Sequence, residues 1–173
     1  KSCLAANRIK SVMGIVNGTT NYMLTKMSQD HMDYGEVLRE AQEKGYAESD
    51  PTADVGGLDA ARKLVILASI AFNTRISLDD VLVSGIESLK LCDIEYAKEL
   101  GYTIKLLAVA KHDEEKGITV CVRPTMLPTE HPLAGVNDVF NAVFVEGDAL
   151  GEAMFMGRGA GGLPTASAVC GDI

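Results

Sequence analysis

Between Leu58 and Phe72 the chain runs fifteen residues, Leu-Asp-Ala-Ala-Arg-Lys-Leu-Val-Ile-Leu-Ala-Ser-Ile-Ala-Phe, with no glycine or proline. Its helix-forming composition and the absence of breakers predict a helix over 58–72. From Leu64 onward the segment is apolar on every side, and a helix without a polar face is expected to lie buried at the centre of its domain. The remainder of the chain has to be arranged around it.

Upstream, Ile9 to Asn17 is rich in β-branched and apolar residues and runs into Asn17-Gly18, which predicts a buried strand ending at Gly18. Thr19 and Thr20 can cap a helix through about His31, with Tyr22, Met23, Leu24 and Met27 on its apolar side. A second helix, roughly Tyr34 to Lys44, turns Val37, Leu38 and Ala41 inward and stops at Gly45. Residues 46–57 read as irregular, because Pro51 disfavours helix at Asp50 and Gly56-Gly57 adds freedom. Short helices are predicted over 78–82 and 92–100, opened by Ser77 and Asp93.

Downstream the pattern changes. Residues 102–110, 118–123, 141–146 and 153–156 carry alternating or continuous apolar runs separated by turn residues, as in a largely antiparallel sheet. Helices in front and strands behind predict an α+β fold, a mixed, largely antiparallel sheet covered by helices. Last come a glycine-rich turn beginning at Gly157 and a small-residue helix from about Pro164. Lys1 to Arg8 reads as the tail of a helix, and a chain opening on Lys1 without a methionine reads as a fragment.

Composition narrows the partners. With 173 residues, 47% of them hydrophobic and 23% charged, one folded globular unit is expected. A net charge of -8 weighs against nucleic acid, whose phosphates demand a basic surface, and suits small cationic or zwitterionic ligands. No run reaches the ~20 apolar residues of a membrane span, and no secretory leader opens the chain. Cys3, Cys92, Cys121 and Cys170 are far apart, form no C-x-x-C and have apolar neighbours. Neither a disulfide framework nor a zinc site is expected, and a reducing, cytoplasmic setting follows. His31, His112 and His131 stand isolated, as loop or surface residues do.

Glu48, Asp50, Asp54 and Asp59 place four carboxylates within twelve residues, leading straight into the apolar helix. Asp59 and Lys63 are spaced i, i+4 and share a helical face with Ile66 and Ile70. Spacing alone leaves three readings open. The pair is an ordinary surface ion pair with Asp50 or Asp54 capping turns, or the loop holds a metal outside the EF-hand pattern, or the lysine carries protons beside a carboxylate. Gly157, Gly159 and Gly162 formally satisfy G-x-G-x-x-G. Only eleven residues follow Gly162, however, too few for a β-α-β unit, so a tight turn approached by a ligand or another backbone is the modest reading.

Three longer stretches resemble one family in order: Gly14-Ile-Val-Asn-Gly-Thr-Thr-Asn-Tyr, then Glu40 to Val55 with Gly57-Leu-Asp-Ala-Ala-Arg-Lys-Leu, then Gly157-Arg-Gly-Ala-Gly-Gly-Leu-Pro-Thr-Ala-Ser-Ala-Val. They are similar to the signatures of homoserine dehydrogenases, and the match spans almost the whole chain. The resemblance implies NAD(P)-dependent interconversion of L-homoserine and L-aspartate 4-semialdehyde, on the route to threonine, methionine and isoleucine. It implies that Lys63 is the acid/base residue with Asp59 beside it, that Glu48 binds substrate, and that Asp54, Tyr46, Gly18 and Thr19 line the pocket. Gly157, Gly159, Gly161 and Gly162 would pass near the nicotinamide end of NADP or NAD.

The same resemblance implies a division of the chain. Residues 1–156 would be the catalytic, substrate-binding and dimerisation domain, and 157–173 the turn and helix that lead back toward a nucleotide-binding domain preceding Lys1. A homodimer or tetramer formed through the sheet is expected. A cation site just upstream and a regulatory domain after Ile173 would also lie outside the chain. Two departures are visible: Gly56 stands where many relatives have an acid, and Cys170-Gly171 where a bulkier pair is usual. The alternatives are an isolated dimerisation and substrate-binding module without activity, and a carboxylate metal-binding module.

Overall fold

The computed structural model describes residues 2–173. Strand β1 (Ile9–Ile15) leads into helix α1 (Gly18–Asp30), followed by α2 (Tyr34–Glu43), the short α3 (Thr52–Val55) and α4 (Leu58–Phe72). The two-residue strand β2 (Leu82–Val83) and helix α5 (Leu91–Glu99) complete the first half. Strands β3 (Tyr102–Asp113), β4 (Gly117–Pro128), β5 (Phe140–Gly147) and β6 (Gly151–Arg158) and helix α6 (Gly162–Asp172) follow. One six-stranded sheet runs in the order β2-β4-β3-β1-β5-β6. Every pairing is antiparallel except β2 with β4, so the sheet is mixed and largely antiparallel, in an α+β arrangement.

Hairpin chemistry explains the order of the later strands. Between β3 and β4, the Asp113 carboxylate accepts the backbone N–H groups of Glu115 and Lys116 at 2.9 Å each, and Gly117 takes a φ of 80°. The central strands are buried on both faces. Helices α1, α2, α4 and α5 bring Met23, Met27, Val37, Leu64 and Ala97 onto one core with Val12, Leu106 and Val122. On the other face the segment 132–136 covers Ile15, Leu107, Leu127, Ala142 and Phe144 with Leu133, Ala134 and Val136. Two covered faces turn Ile104 to Ala108 into an unbroken buried run, where one covered face would leave an alternation.

Several expectations are corrected. The first strand stops at Ile15, and the helix cap is Asn17 in place of Thr19 or Thr20, since the Asn17 side chain accepts the Thr20 N–H at 2.9 Å. Helix α4 has the expected span but is not buried at the centre. Ala60, Ala61, Leu64 and Ala68 pack inward while Ile66 is 60% exposed, because a helix lying on a sheet covers only one stripe of its own surface. The 78–82 helix shrinks to a single 3-10 turn, Leu78–Asp80, closed by a Ser77–Asp80 capping box. Lys90, not Asp93, is the cap residue of α5, and Asp93 sits at the third helical position, accepting the Lys90 N–H at 2.9 Å. Strand β2 was not foreseen; two residues carry no periodicity.

At the start of the chain, Ser2–Leu4 form a 3-10 turn where a helix tail was expected, and Lys1 lies outside the described residues. Of the four thiols only Cys121 is buried; Cys3, Cys92 and Cys170 are exposed, because the apolar residues beside them in sequence turn elsewhere. None is in a disulfide.

Candidate active site

The site is assembled where β1 hands over to α1. Asn17 caps α1 with its Oδ1, which accepts the N–H and the hydroxyl of Thr20 at 2.9 Å each. Its Nδ2 then faces away from the helix and donates to Asp54 Oδ1 at 2.7 Å and to Asp59 Oδ2 at 2.9 Å. Asp54 lies on α3 and Asp59 in the first turn of α4, where the helix dipole favours a negative charge. Between them Gly57 adopts a φ of 83°, which lets the chain reverse from one short helix into the next.

One turn further along α4, Lys63 places its Nζ 2.7 Å from Asp59 Oδ2 and 3.0 Å from the Val16 carbonyl. Its side chain is 46% exposed, so the ammonium is held from below and open from above. Thr19 donates its hydroxyl to the Tyr46 carbonyl at 2.6 Å, fixing the loop after α2 against the start of α1. The Tyr46 ring packs edge-on to Tyr22, with centroids 5.0 Å apart. Beneath Gly18, a side-chain Cβ would come 3.2 Å from the Val139 carbonyl oxygen, so a larger residue there would press the two backbones apart by a few tenths of an ångström.

Of the residues expected at the site, Asp54, Asp59 and Lys63 thus form one bonded cluster, with Gly18, Thr19 and Tyr46 beside it. Glu48 does not join them through its side chain. It is exposed, and its only hydrogen bond among the described residues is through its backbone carbonyl, which accepts from Gln42. The glycine turn is also separate. Strand register nevertheless brings it to the same end of the sheet: Ile15 pairs with Ala142 and Ala142 with Met156, so β6 leaves the sheet beside the end of β1, two strands or roughly 10 Å away.

The glycines of that turn differ in their reasons. A Cβ at Gly159 would strike the Asn141 side chain, and Gly161 has a φ of 120°, so both answer to the chain itself. At Gly157 and Gly162 a Cβ would meet nothing within 4 Å, which leaves their backbone open to a ligand.

Two participants carry no signal in the sequence. Asn17 belongs to the turn dipeptide Asn17-Gly18, and nothing in its neighbourhood marks it as a bridge between carboxylates 37 and 42 residues away. Lys105 sits within the apolar run of β3 with only 1% of its surface exposed. Its ammonium donates to the Val136 carbonyl at 2.6 Å, Asn137 Oδ1 at 3.1 Å and Asn21 Oδ1 at 3.2 Å. The Asn21 amide in turn donates to the carbonyls of Val136, Asp138 and Phe140, so Lys105 and α1 together hold the segment that underlies Gly18. Burial pushes the Lys105 pKa down to about 8, partly offset by the nearby Asp138 charge.

No three His, Cys, Asp or Glu side chains converge as metal ligands among the described residues. Asp54 accepts from the Asn17 amide, and Asp59 from that amide and the Lys63 ammonium. A surface cleft of about 520 Å³ between the starts of α2 and α5, lined by Asp33, Tyr34, Lys90, Cys92 and Glu95, shares no residue with the cluster.

Fold and site together define an α+β domain that presents a lysine–carboxylate centre at one end of a mostly antiparallel sheet. The homoserine dehydrogenase family model matches residues 1–173, and the chain belongs to that family. It is 54% identical over 170 residues to the homoserine dehydrogenase of Bacillus subtilis and 56% identical over 174 residues to that of Corynebacterium glutamicum. Each alignment covers 98% of this chain and 39% of the relative, so the chain spans about two fifths of those proteins. A homoserine dehydrogenase structure from Thiobacillus denitrificans superposes with a TM-score of 0.96 at 47% identity, over 98% of this chain and 39% of that one. A hyperthermophilic archaeal homoserine dehydrogenase mutant in complex with NADPH superposes with a TM-score of 0.82 at 30% identity, over 99% of this chain and 48% of that one.

Proposed function

We propose that the chain supplies the substrate-binding and proton-transfer part of an enzyme that interconverts L-homoserine and L-aspartate 4-semialdehyde with NADP or NAD. The observation that carries this reading is the placement of the Lys63 ammonium, anchored by Asp59 and the Val16 carbonyl and open on its outer side. Oxidation of a primary alcohol needs a base within hydrogen-bond reach of the hydroxyl while hydride leaves the carbon. Neutral Lys63 takes that proton, and protonated Lys63 returns it to the developing alkoxide in the reverse direction. Asp59 keeps the amine aimed.

Homoserine also carries an ammonium group. Asp54 and Asp59 each have a second carboxylate oxygen, and the exposed carboxylate of Glu48 on the adjoining loop, which has no bond to another described residue, can make a charge-assisted bond to that group. Gly18, Thr19 and Tyr46 form the adjoining wall. When bound, the nicotinamide cofactor supplies the hydride acceptor or donor. The described residues form no β-α-β phosphate cradle, and their contribution to cofactor binding is the open backbone at Gly157 and Gly162, with Gly159 and Gly161 shaping the turn. Residues 1–156 act as the catalytic unit and 157–173 as the segment facing the cofactor.

Assembly as a homodimer or tetramer is part of the same reading. Strand β6 exposes Met154, Phe155 and Met156 at the edge of the sheet, an apolar surface suited to a second copy. No helix of the described residues is long and apolar enough to cross a membrane, and free thiols fit a reducing cytoplasm. In the full-length enzyme, Lys63→Ala is expected to lower kcat by about 10² to 10⁴ while circular dichroism and the melting temperature stay near wild type. Undiminished turnover removes Lys63 from the mechanism.

A further inference from the structure

Asn17 occupies the point where the start of α1 and both site carboxylates meet, and its side chain has no freedom left. Its Oδ1 is committed to the helix through the two bonds to Thr20. An amide flipped to face the site with its oxygen would lose both of them and oppose carboxylates that can only accept. The Nδ2 therefore faces the site, and both of its hydrogens are used, one on Asp54 and one on Asp59. With 6% of its surface exposed, Asn17 leaves water little access to replace these bonds.

The arrangement ties together groups from three elements. Without the amide, two carboxylates from α3 and α4 would face each other, and of the two only Asp59 is bonded to Lys63. Like charges at that spacing separate or take up a proton, and either change moves the anchor of Lys63.

We propose that Asn17 is the positioning residue of this site: its amide holds Asp54 and Asp59 as a preset pair of acceptors for the substrate and keeps Asp59 beneath Lys63. The inference rests on the functional reading above and adds to it a residue that touches the carboxylates and not the reacting atoms. It also makes the start of α1 part of the site's machinery, because the same side chain caps the helix and sets the acids.

Two substitutions in the full-length enzyme separate positioning from capping. Asn17→Asp keeps an acceptor for Thr20 but replaces the double donor with a third carboxylate. The KM for homoserine is expected to rise about tenfold or more with a smaller change in kcat. The acidic limb of its kcat/KM profile is expected to shift, because one proton shared among three carboxylates restores a donor. Asn17→Ser keeps a capping oxygen and is too short to bridge, so the same rise in KM is expected without the altered pH profile.

If Asn17 only caps α1, both variants retain the wild-type KM and pH profile, and that result overturns the proposal. Should Asn17→Asp fail to fold by circular dichroism, the KM of Asn17→Ser decides. Inactive Lys63→Ala beside normal Asn17 variants rejects the positioning role and leaves the functional reading standing. Active Lys63→Ala rejects the reading itself.

Discussion

Lys105 is the residue whose charge is most at odds with its surroundings. Three good acceptors hold its ammonium, yet burial lowers its pKa from 10.5 to about 8. In the unfolded chain the amine keeps its proton up to about pH 10.5, whereas in the folded chain it gives it up near pH 8. Between those values the unfolded state binds more protons, so stability rises with pH across the window, by an amount on the order of 3 kcal/mol for a shift of this size. Below about pH 8 the full cost of burying the charge is present. Urea unfolding of the wild type and of Lys105→Met at several values from pH 7 to 10.5 checks this: the stability of the wild type relative to the variant is expected to climb over that range. A constant difference removes the buried ammonium as its cause. The acids of the site and Lys63 were legible in the sequence as a dense run of charge before an apolar helix, but Asn17 and Lys105 were not. Their roles depend on partners 31 to 84 residues away, and a local pattern contains no such distance.

At the scale of elements, the hinge between α3 and α4 sets the spacing of the two aspartates. Gly57 has a φ of 83°, and a Cβ there would lie 3.2 Å from Val83 Cγ1 and 3.3 Å from Val122 Cγ1. Gly57→Ala is therefore expected to destabilise the fold by about 1–2 kcal/mol from backbone strain, with a further loss from crowding against β2 and β4. Thermal melts measure the first effect, and a raised KM for homoserine reports displacement of Asp54 relative to Asp59. The longer helices were legible, α4 to the residue, because periodicity and breakers are local; the four-residue α3 fell in a segment read as irregular, and the helix expected over 78–82 is a single 3-10 turn. Its depth was not. A sequence free of polar residues says that a helix can be buried on every side, while the sheet beneath α4 touches one stripe and leaves Ile66 outward. Caps fell between these extremes: Asn17, Ser77 and Lys90 each won their position by a specific hydrogen bond or backbone angle among several suitable neighbours.

At the scale of the molecule, the proposed function gives the chain one side of an active site. The bonded cluster of Asn17, Asp54, Asp59 and Lys63 lies within it, and the glycine turn reaches the same end of the sheet, but among the described residues no dinucleotide cradle lies between them. The isolated chain is thus expected to bind homoserine in calorimetry, more weakly than the full-length enzyme, and to show no turnover with NADPH or NADH. Turnover by the chain alone contradicts this division of labour. The sequence by itself determined the longer helices, the longer strands, the acidic loop and the family, because each is written in local periodicity or in ordered motifs. Only the tertiary structure decided that α4 lies on the surface of the sheet, that Lys105 is a buried strut, and that an asparagine turned by its own helix cap holds two aspartates in place. Those outcomes depend on which faces meet and which polar atoms are left to pair, and burial with hydrogen-bond geometry settles them only after the chain has folded.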